Sequence, residues 1–244
     1  MVGEQPKPHR ALRWTVLGAV LIGMGTLACW PVTTRYGVNY RWSSRTITLF
    51  EKTVHFISRD LQTRRLVAEL VRGAGASPDD RLIRLFDWTV RHVQPVPPEF
   101  PAVDDHVLSI IIRGYGAPDQ RTEAFALLAS YAGFPATAVT LRAPEGTGRL
   151  IVAVVRDKDR RLLFDINHQI VFRTPQGTFA DIEELMRNPQ LVAEAAGGLA
   201  VDGLPYERYV TGLQDLQVTF SRMEGQKPWP RLWQEVLGIF RAKS

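Results

Sequence analysis

The sequence predicts an α+β fold in which one transmembrane helix precedes a single folded domain and a helical tail. Three observations support this fold class. A long uncharged apolar run lies near the N-terminus, an apolar helical pattern lies in mid-chain, and three strand-like segments follow that helix at short intervals. With 244 residues, 45% of them hydrophobic and 23% charged, the chain has the composition of a folded protein with one main core.

The apolar run covers residues 14–34 and contains no charged side chain. A helix of that length would cross a hydrocarbon core of about 30 Å, with Trp14 and Trp30 near the two interfaces. The alternatives are a cleaved signal peptide, a buried core helix, and a lipoprotein processing site at Cys29. We expect an uncleaved signal anchor, and a short N-terminal tail before a large domain favours a periplasmic or other extracytoplasmic location.

Composition also limits the ligands that we expect. The net charge is only +5 and the basic residues are scattered among acids, which argues against a nucleic-acid partner. The five histidines and the single cysteine lack metal-ligand spacing, and no cofactor motif is present, so we expect neither metal nor cofactor. The run Asp104-Asp105-His106 is better explained as a polar loop or helix cap than as a metal or acid/base cluster.

The remaining elements follow from local signals. Residues 46–70 have mixed helical periodicity and form a predicted connector. Ser77 and Pro78 provide an N-cap and a first-turn proline for a helix, and a second, largely apolar helix starts at Pro118 and stops at Gly133. Strands are predicted at 137–141, 150–156 and 161–166, with a hairpin between the last two.

One part of the chain has a recognisable order of motifs. Gly-Tyr-Gly-Ala-Pro-Asp-Gln at 114–120 is followed by Glu-Ala-Phe-Ala-Leu-Leu at 123–128 and Ala-Gly-Phe-Pro-Ala at 132–136. This succession of glycine turn, buried helix and Gly-Phe-Pro-Ala resembles the core of the transglutaminase-like, papain-related superfamily. The resemblance covers roughly residues 79–172 and implies a buried helix packed on an antiparallel sheet.

The resemblance also implies a catalytic Cys, His and Asp, which this sequence does not preserve. The resemblance places the nucleophile at Pro118, the histidine at or next to Arg149, and the aspartate at Asp165. Proline has no nucleophile, and arginine stays protonated and cannot act as a general base. The only cysteine, Cys29, lies in the predicted anchor. Asp119 either pairs with Arg149 across the old site or caps the helix.

The C-terminal region predicts two short helices near 181–187 and 190–196 and a final basic amphipathic helix. Trp229, Trp233, Leu237 and Phe240 lie in or next to its apolar stripe. Such a helix either lies on a membrane or in a partner's groove, or it packs back on its own domain.

We therefore expect a non-catalytic, membrane-anchored subunit that helps to scaffold or assemble a larger membrane protein complex. Its partners would be integral membrane proteins and the lipid bilayer, with Gly18, Gly23 and Gly25 allowing close helix contacts. The alternatives are a cell-envelope hydrolase, with Asp119, Asp165 or His168 in altered roles, and a peptide- or glycan-binding module. The predicted parts are a tail (1–13), anchor (14–34), connector (35–76), transglutaminase-like core (77–180) and helical extension (181–244).

Overall fold

The computed structural model describes residues 8–39, 41–104, 106–143, 148–210, 213 and 227–241. The helices are α1 (Pro8–Ala28), α2 (Leu49–Arg72), α3 (Pro78–His92), α4 (Val107–Arg113), α5 (Pro118–Tyr131), α6 (Ile182–Arg187), α7 (Pro189–Ala196), α8 (Glu207–Val210) and α9 (Pro228–Arg241). The strands are β1 (Pro31–Val38), β2 (Arg41–Thr48), β3 (Gln94–Pro95), β4 (Val103–Asp104), β5 (Tyr115–Gly116), β6 (Ala136–Arg142), β7 (Arg149–Asp157), β8 (Arg160–Asp165), β9 (Ile170–Val171), β10 (Ala200–Val201) and β11 (Leu204–Pro205).

The main sheet is antiparallel, with strand order β6-β7-β8-β9. In its centre, Ala153 of β7 pairs with Ala138 of β6 on one side and with Phe164 of β8 on the other. Helices cover both faces of β7, which explains why residues 150–155 read as a continuous apolar run without alternation. The three strands predicted from sequence are all present.

Two apolar clusters lie on opposite faces of this sheet. One packs α5 between the sheet and the helices α2, α3 and α4, and every residue from 124 to 129 is at most 1% exposed. The other packs α6, α7 and α8 against the opposite face. A layer of helices on each face of the sheet places the start of α5 at the edge where β7 begins and β8 ends.

Local signals account for the bounds of the two predicted central helices. The Ser77 side chain accepts a hydrogen bond from the Asp80 backbone N–H at 3.0 Å and thereby caps α3, with Pro78 in the first turn. After α5, Gly133 has φ +96°, a left-handed conformation that favours glycine and stops the helix. Both features were predicted from the sequence.

The prediction of a transmembrane anchor at residues 14–34 is wrong. Helix α1 ends at Ala28, and Pro31 begins strand β1, so only the first part of the span is helical. Among the helices of the described residues, none is both long and apolar enough to cross a membrane. The fold class is mixed α/β without that helix, and the predicted single-pass extracytoplasmic location is not supported.

The last residues of the predicted anchor, 31–34, instead belong to strand β1, which forms a β-hairpin with β2. The strands pair in register along their whole length, from Pro31 with Thr48 to Val38 with Arg41, and β4 pairs with the tip half of β1. Helix α9 packs at the base of this hairpin and on α2. There the buried Lys52 bonds the Thr33 carbonyl at 2.7 Å and forms a 2.8 Å ion pair with Glu235.

Candidate functional site

The turn before α5 fixes where the helix starts. Gly114 has φ +78° and ends α4, and a Cβ on Gly116 would lie 3.0 Å from an Ile110 methyl group. The Gln120 side chain accepts from the Ala117 N–H at 3.0 Å and donates to the Val103 carbonyl at 2.8 Å. These contacts hold Pro118 in the first turn of α5, where it is exposed.

Asn167 ties the start of α5 to the sheet. Its Nδ2 lies 3.1 Å from the Pro118 carbonyl, 3.2 Å from Thr122 Oγ1 and 3.2 Å from the Ile151 carbonyl. Two amide hydrogens are thus shared among three acceptors, on the first turn of α5 and on strand β7. The side chain of Asn167 therefore occupies the gap between α5 and β7.

Arg121 fixes the orientation of that amide from the buried side. The guanidinium is on a residue only 5% exposed, and it donates to the Val93 carbonyl at 2.8 Å and to Asn167 Oδ1 at 3.2 Å. Burial lowers the pKa of Arg121, while the nearby Asp165 carboxylate acts in the opposite direction. A buried guanidinium is stabilised here by neutral acceptors and by one carboxylate at longer range.

Asp165 is fully buried and accepts four hydrogen bonds. Its Oδ1 accepts from the backbone N–H groups of Asn167 at 2.9 Å and His168 at 3.0 Å. Its Oδ2 accepts from the Tyr206 hydroxyl at 2.9 Å and lies 2.8 Å from His168 Nδ1. The carboxylate thus joins the end of β8, the following turn and Tyr206, which immediately precedes α8.

The direction of the Asp165 side chain follows from strand alternation. Leu162 and Phe164 of β8 point into the cluster around α5, and Leu163 points into the opposite cluster. Asp165 continues the second set, because it bonds Tyr206 of that opposite cluster. Its carboxylate therefore lies on the face of the sheet away from α5.

His168 lies beside this carboxylate and is the titratable base that the described residues place there. The hydrogen bond and charge of Asp165 raise the pKa of His168, against an opposing effect of partial burial. Burial next to the same carboxylate raises the pKa of Tyr206 far above its usual value, so that the phenol stays protonated. The side chain of His168 is 31% exposed, and it is reachable from solvent.

The structure does not bring the three predicted vestigial side chains together. Arg149 is exposed at the start of β7, where its N–H donates to Asp202 Oδ2 at 3.1 Å. Asp119 is also exposed, and no hydrogen bond or ion pair between described residues joins it to Arg149. Pro118 is exposed in the first turn of α5, and Asp165 is fully buried. Asn167 joins them, since its amide donates to the Pro118 carbonyl and its backbone N–H donates to the Asp165 carboxylate.

The predicted membrane and partner contacts are scattered over the surface. Trp14 is exposed on α1, and a Cβ placed on any of its three central glycines would meet no described atom within 4 Å. Trp30 packs instead on the small apolar cluster at the base of the hairpin. On α9, Trp229 and Trp233 are exposed and Leu237 is half-buried, while the Phe240 side chain lies outside the described residues.

The polar run before α4 acts as a helix cap where it is described. His106 Nδ1 accepts from the Leu108 N–H at 3.1 Å, and burial lowers the pKa of His106 to about 4. A neutral imidazole at the N-cap is the form that can accept this bond. Asp105 and the Asp104 side chain lie outside the described residues. Within the part of the chain that the structure describes, no group of three or more potential ligands could hold a metal ion.

Sequence reasoning missed Asn167, Arg121 and Tyr206, which complete the network around Asp165. Each makes its main contacts with residues distant in the chain, such as Arg121 with Val93 and Tyr206 with Asp165. Arg121 lies among the polar residues of the first turns of α5, Asp119, Gln120, Thr122 and Glu123, so its neighbours in sequence did not signal its burial. Nothing local distinguished Asn167 from an ordinary turn residue.

The described residues form a buried helix packed on an antiparallel sheet. No protein-family model matches the sequence, and no curated protein matches it. A solved structure described as "Crystal structure of a TGase" is similar with a TM-score of 0.37 and 13% sequence identity, over 68% of this chain and 49% of that one. This chain thus spans about half the length of that protein, and the similarity is weak.

Proposed function

We propose that this chain is a non-catalytic subunit with a degenerate transglutaminase-like domain that helps to scaffold or assemble a larger protein complex. The observation that supports the proposal is that the gap between α5 and β7, where the resemblance places the catalytic residues, is filled by a side chain of this chain. Asn167 fills the gap between α5 and β7 with hydrogen bonds to Pro118, Thr122 and Ile151. Integral membrane proteins, the partner class expected from the sequence, are part of the proposal; a membrane-spanning helix of this chain is not.

The missing chemistry supports the same proposal. Acyl transfer of the thiol type needs a thiolate, and Cys29, the only cysteine, lies exposed in the turn after α1. The proton acceptor would stand near Arg149, whose guanidinium has no acceptor site. Asp165 uses both carboxylate oxygens for hydrogen bonds that hold the turn and Tyr206. These residues support a structural role for the network.

A second candidate function rests on one observation, the contact between His168 Nδ1 and Asp165 Oδ2. A carboxylate at Nδ1 orients an imidazole so that Nε2 accepts protons, as in hydrolytic sites. His168 could then remove a proton from water as its oxygen attacks a carbonyl carbon, and return that proton to the leaving group. No observation on the described residues favours the third alternative, ligand binding in the old cleft, because Asn167 and Arg121 occupy it.

A hydrolysis assay with the purified full chain separates the two candidates. Ester and amide substrates are incubated with the wild-type chain and with His168→Gln, which alters a partly exposed residue and leaves the core packing intact. We expect no turnover above the buffer rate for either protein. Turnover that the wild-type shows and His168→Gln lacks would establish the hydrolase and end the scaffold proposal.

Assembly in cells provides the positive test. When the chain is depleted, the complex that contains it should be recovered in lower amount from native gels. Re-expression of the His168→Gln variant should restore the complex to the wild-type level, because the proposed role needs no catalysis. A complex that assembles equally well without the chain would contradict the proposal.

A further inference from the structure

Near its tip the β1–β2 hairpin is held by β4 along the β1 side alone, and its buried part is the base. Val32 and Ile47 pack there on Leu49, and they are 7% and 8% exposed. Beyond this base every residue of β2 from 41 to 46 is exposed, including Trp42 at 65%. The distal half of the hairpin therefore presents both its faces and one edge to the surroundings.

Among the strands that the structure describes, β2 is an edge strand of its sheet, whose order is β2-β1-β4. Asn39 donates its N–H to the Ala102 carbonyl beside β4 at 2.8 Å, so odd-numbered residues of β1 direct their backbone groups toward β4 and even-numbered ones toward β2. The register pairs Val38 with Arg41. In β2, the residues that direct N–H and C=O outward are then Trp42, Ser44 and Thr46.

The charged side chains of the hairpin are all positive. Arg35, Arg41 and Arg45 are exposed on the hairpin, and residues 5–50 contain no acidic side chain. None of these three arginines forms a hydrogen bond or ion pair with a residue that the structure describes. An unpaired guanidinium prefers a carboxylate partner that it can bond with two N–H groups.

From these two observations we infer that the free edge of β2 binds an extended acidic segment of a partner protein, which adds to the sheet as a further strand. The backbone of the segment bonds the outward groups of Trp42, Ser44 and Thr46. Arg41 and Arg45 share one face and lie four residues, or about 13 Å, apart. They pair with acidic side chains at the same spacing in the ligand.

The choice of a polypeptide follows from the edge. A row of alternating N–H and C=O groups is matched by another extended backbone, and neither a phosphodiester chain nor lipid headgroups provide that pattern. Trp42, on the other face of β2, gives an apolar surface for alternate side chains of the same segment. The inference rests on the proposed function insofar as a scaffolding subunit needs a surface for a partner, and its test is separate.

The test uses the full chain and a fluorescent, terminally blocked octapeptide of alternating Glu and Thr. We expect saturable binding that weakens with salt, and at least tenfold weaker binding of the matching Lys–Thr peptide. The double variant Arg41→Glu/Arg45→Glu should lose at least tenfold in affinity for the Glu–Thr peptide. The matched control is Arg142→Glu/Arg149→Glu, an equal charge change at two exposed, paired residues of β6 and β7 in the main sheet, and it should bind like the wild-type.

Ser44→Pro tests strand addition itself. Proline at position 44 removes an outward N–H while leaving the bonds between β1 and β2 intact, and edge strands tolerate it. We expect at least tenfold weaker peptide binding, and in the wild-type chain bound peptide should slow amide exchange at Trp42, Ser44 and Thr46. Unchanged binding by Ser44→Pro would overturn strand addition.

Two further outcomes would overturn the inference. One is the absence of saturable binding of the Glu–Thr peptide. The other is tighter binding to anionic lipid vesicles or to a single-stranded oligonucleotide, with the same dependence on Arg41 and Arg45. Neither outcome bears on catalysis, whereas turnover that depends on His168 would end the scaffold proposal and leave the peptide result standing.

Discussion

The turn after β8 and the β1–β2 hairpin both carry polar groups at strand ends, but they satisfy them in opposite ways. In the turn, Asp165 accepts four hydrogen bonds from within the chain, and Asn167 is bonded through both ends of its amide. On the hairpin, the arginines are exposed, and the outer edge of β2 pairs with no strand that the structure describes. Polar groups whose hydrogen bonds are all made within the chain indicate a structural role. Exposed polar groups at a strand edge indicate a surface that binds another molecule.

Replacing Asp165 with alanine should produce the largest effect. The change would leave the Tyr206 hydroxyl and two backbone N–H groups without an acceptor and would remove the counter-charge near buried Arg121. We expect the free energy of unfolding, measured by urea titration, to fall by about 3 kcal/mol or more.

The control for this prediction is Asp159→Ala in the exposed turn between β7 and β8, which should change the free energy of unfolding by no more than about 0.5 kcal/mol. If Asp165→Ala were as mild as its control, the hydrogen-bond network would not hold the turn, and Asp165 would have no structural role there.

The contact between Arg121 and Asn167 should give a smaller, non-additive effect. Asn167→Ala removes the amide that spans α5 and β7, and we expect a loss of about 2 kcal/mol in the free energy of unfolding. In a double-mutant cycle with Arg121→Met, the two changes should couple by at least about 0.5 kcal/mol. Strict additivity would show that Asn167 bridges α5 and β7 without help from the guanidinium.

How well the sequence predicted each region depended on the range of the contacts involved. Helix α5 was predicted because its signals are local: Pro118 in the first turn, an apolar run, and Gly133 at the stop. The strands of the main sheet were predicted for the same reason. The Asp165 network could not be predicted, because Tyr206 lies 41 residues away in sequence from the carboxylate that it bonds.

The N-terminal error has a different cause. Absence of charge was taken as evidence for a helix over residues 14–34, although Pro31 and the β-branched residues Val32, Thr33 and Thr34 favour a strand. The alternation of Arg, Tyr and Trp between 35 and 45 was a strand signal as well. Hydropathy alone does not distinguish an apolar helix that stops at Ala28 from a longer one.

The pH dependence of the free energy of unfolding should show that His168 belongs to the hydrogen-bond network around Asp165. A histidine whose pKa is raised on folding contributes stability that is full below its unfolded pKa, about 6.5, and is lost as pH rises through the folded pKa. Asp202 acts in the same direction as Asp165, and Arg121 opposes it. The difference in unfolding free energy between wild-type and His168→Gln should therefore be larger at pH 6 than at pH 9.

Because His168 is partly exposed, this difference should stay below about 1 kcal/mol. His106, whose pKa is lowered, is common to both proteins and cancels in the difference. A difference that grows toward alkaline pH would mean that the Asp165 contact favours the neutral ring.

The smallest effect on the free energy of unfolding is expected at the tip of the hairpin. It tests whether the contrast between packed and exposed regions also holds between the base and the tip of this one hairpin. Trp42→Ala should change the free energy of unfolding by less than about 0.5 kcal/mol, because the side chain is largely exposed. Val32→Ala at the buried base should cost about 1 to 2 kcal/mol, since it removes apolar contacts with Ile47 and Leu49. Urea titrations of both variants measure the gradient along one hairpin. Equal losses at tip and base would mean that the tip is packed in the free protein, and a packed tip has no open strand edge to offer a partner.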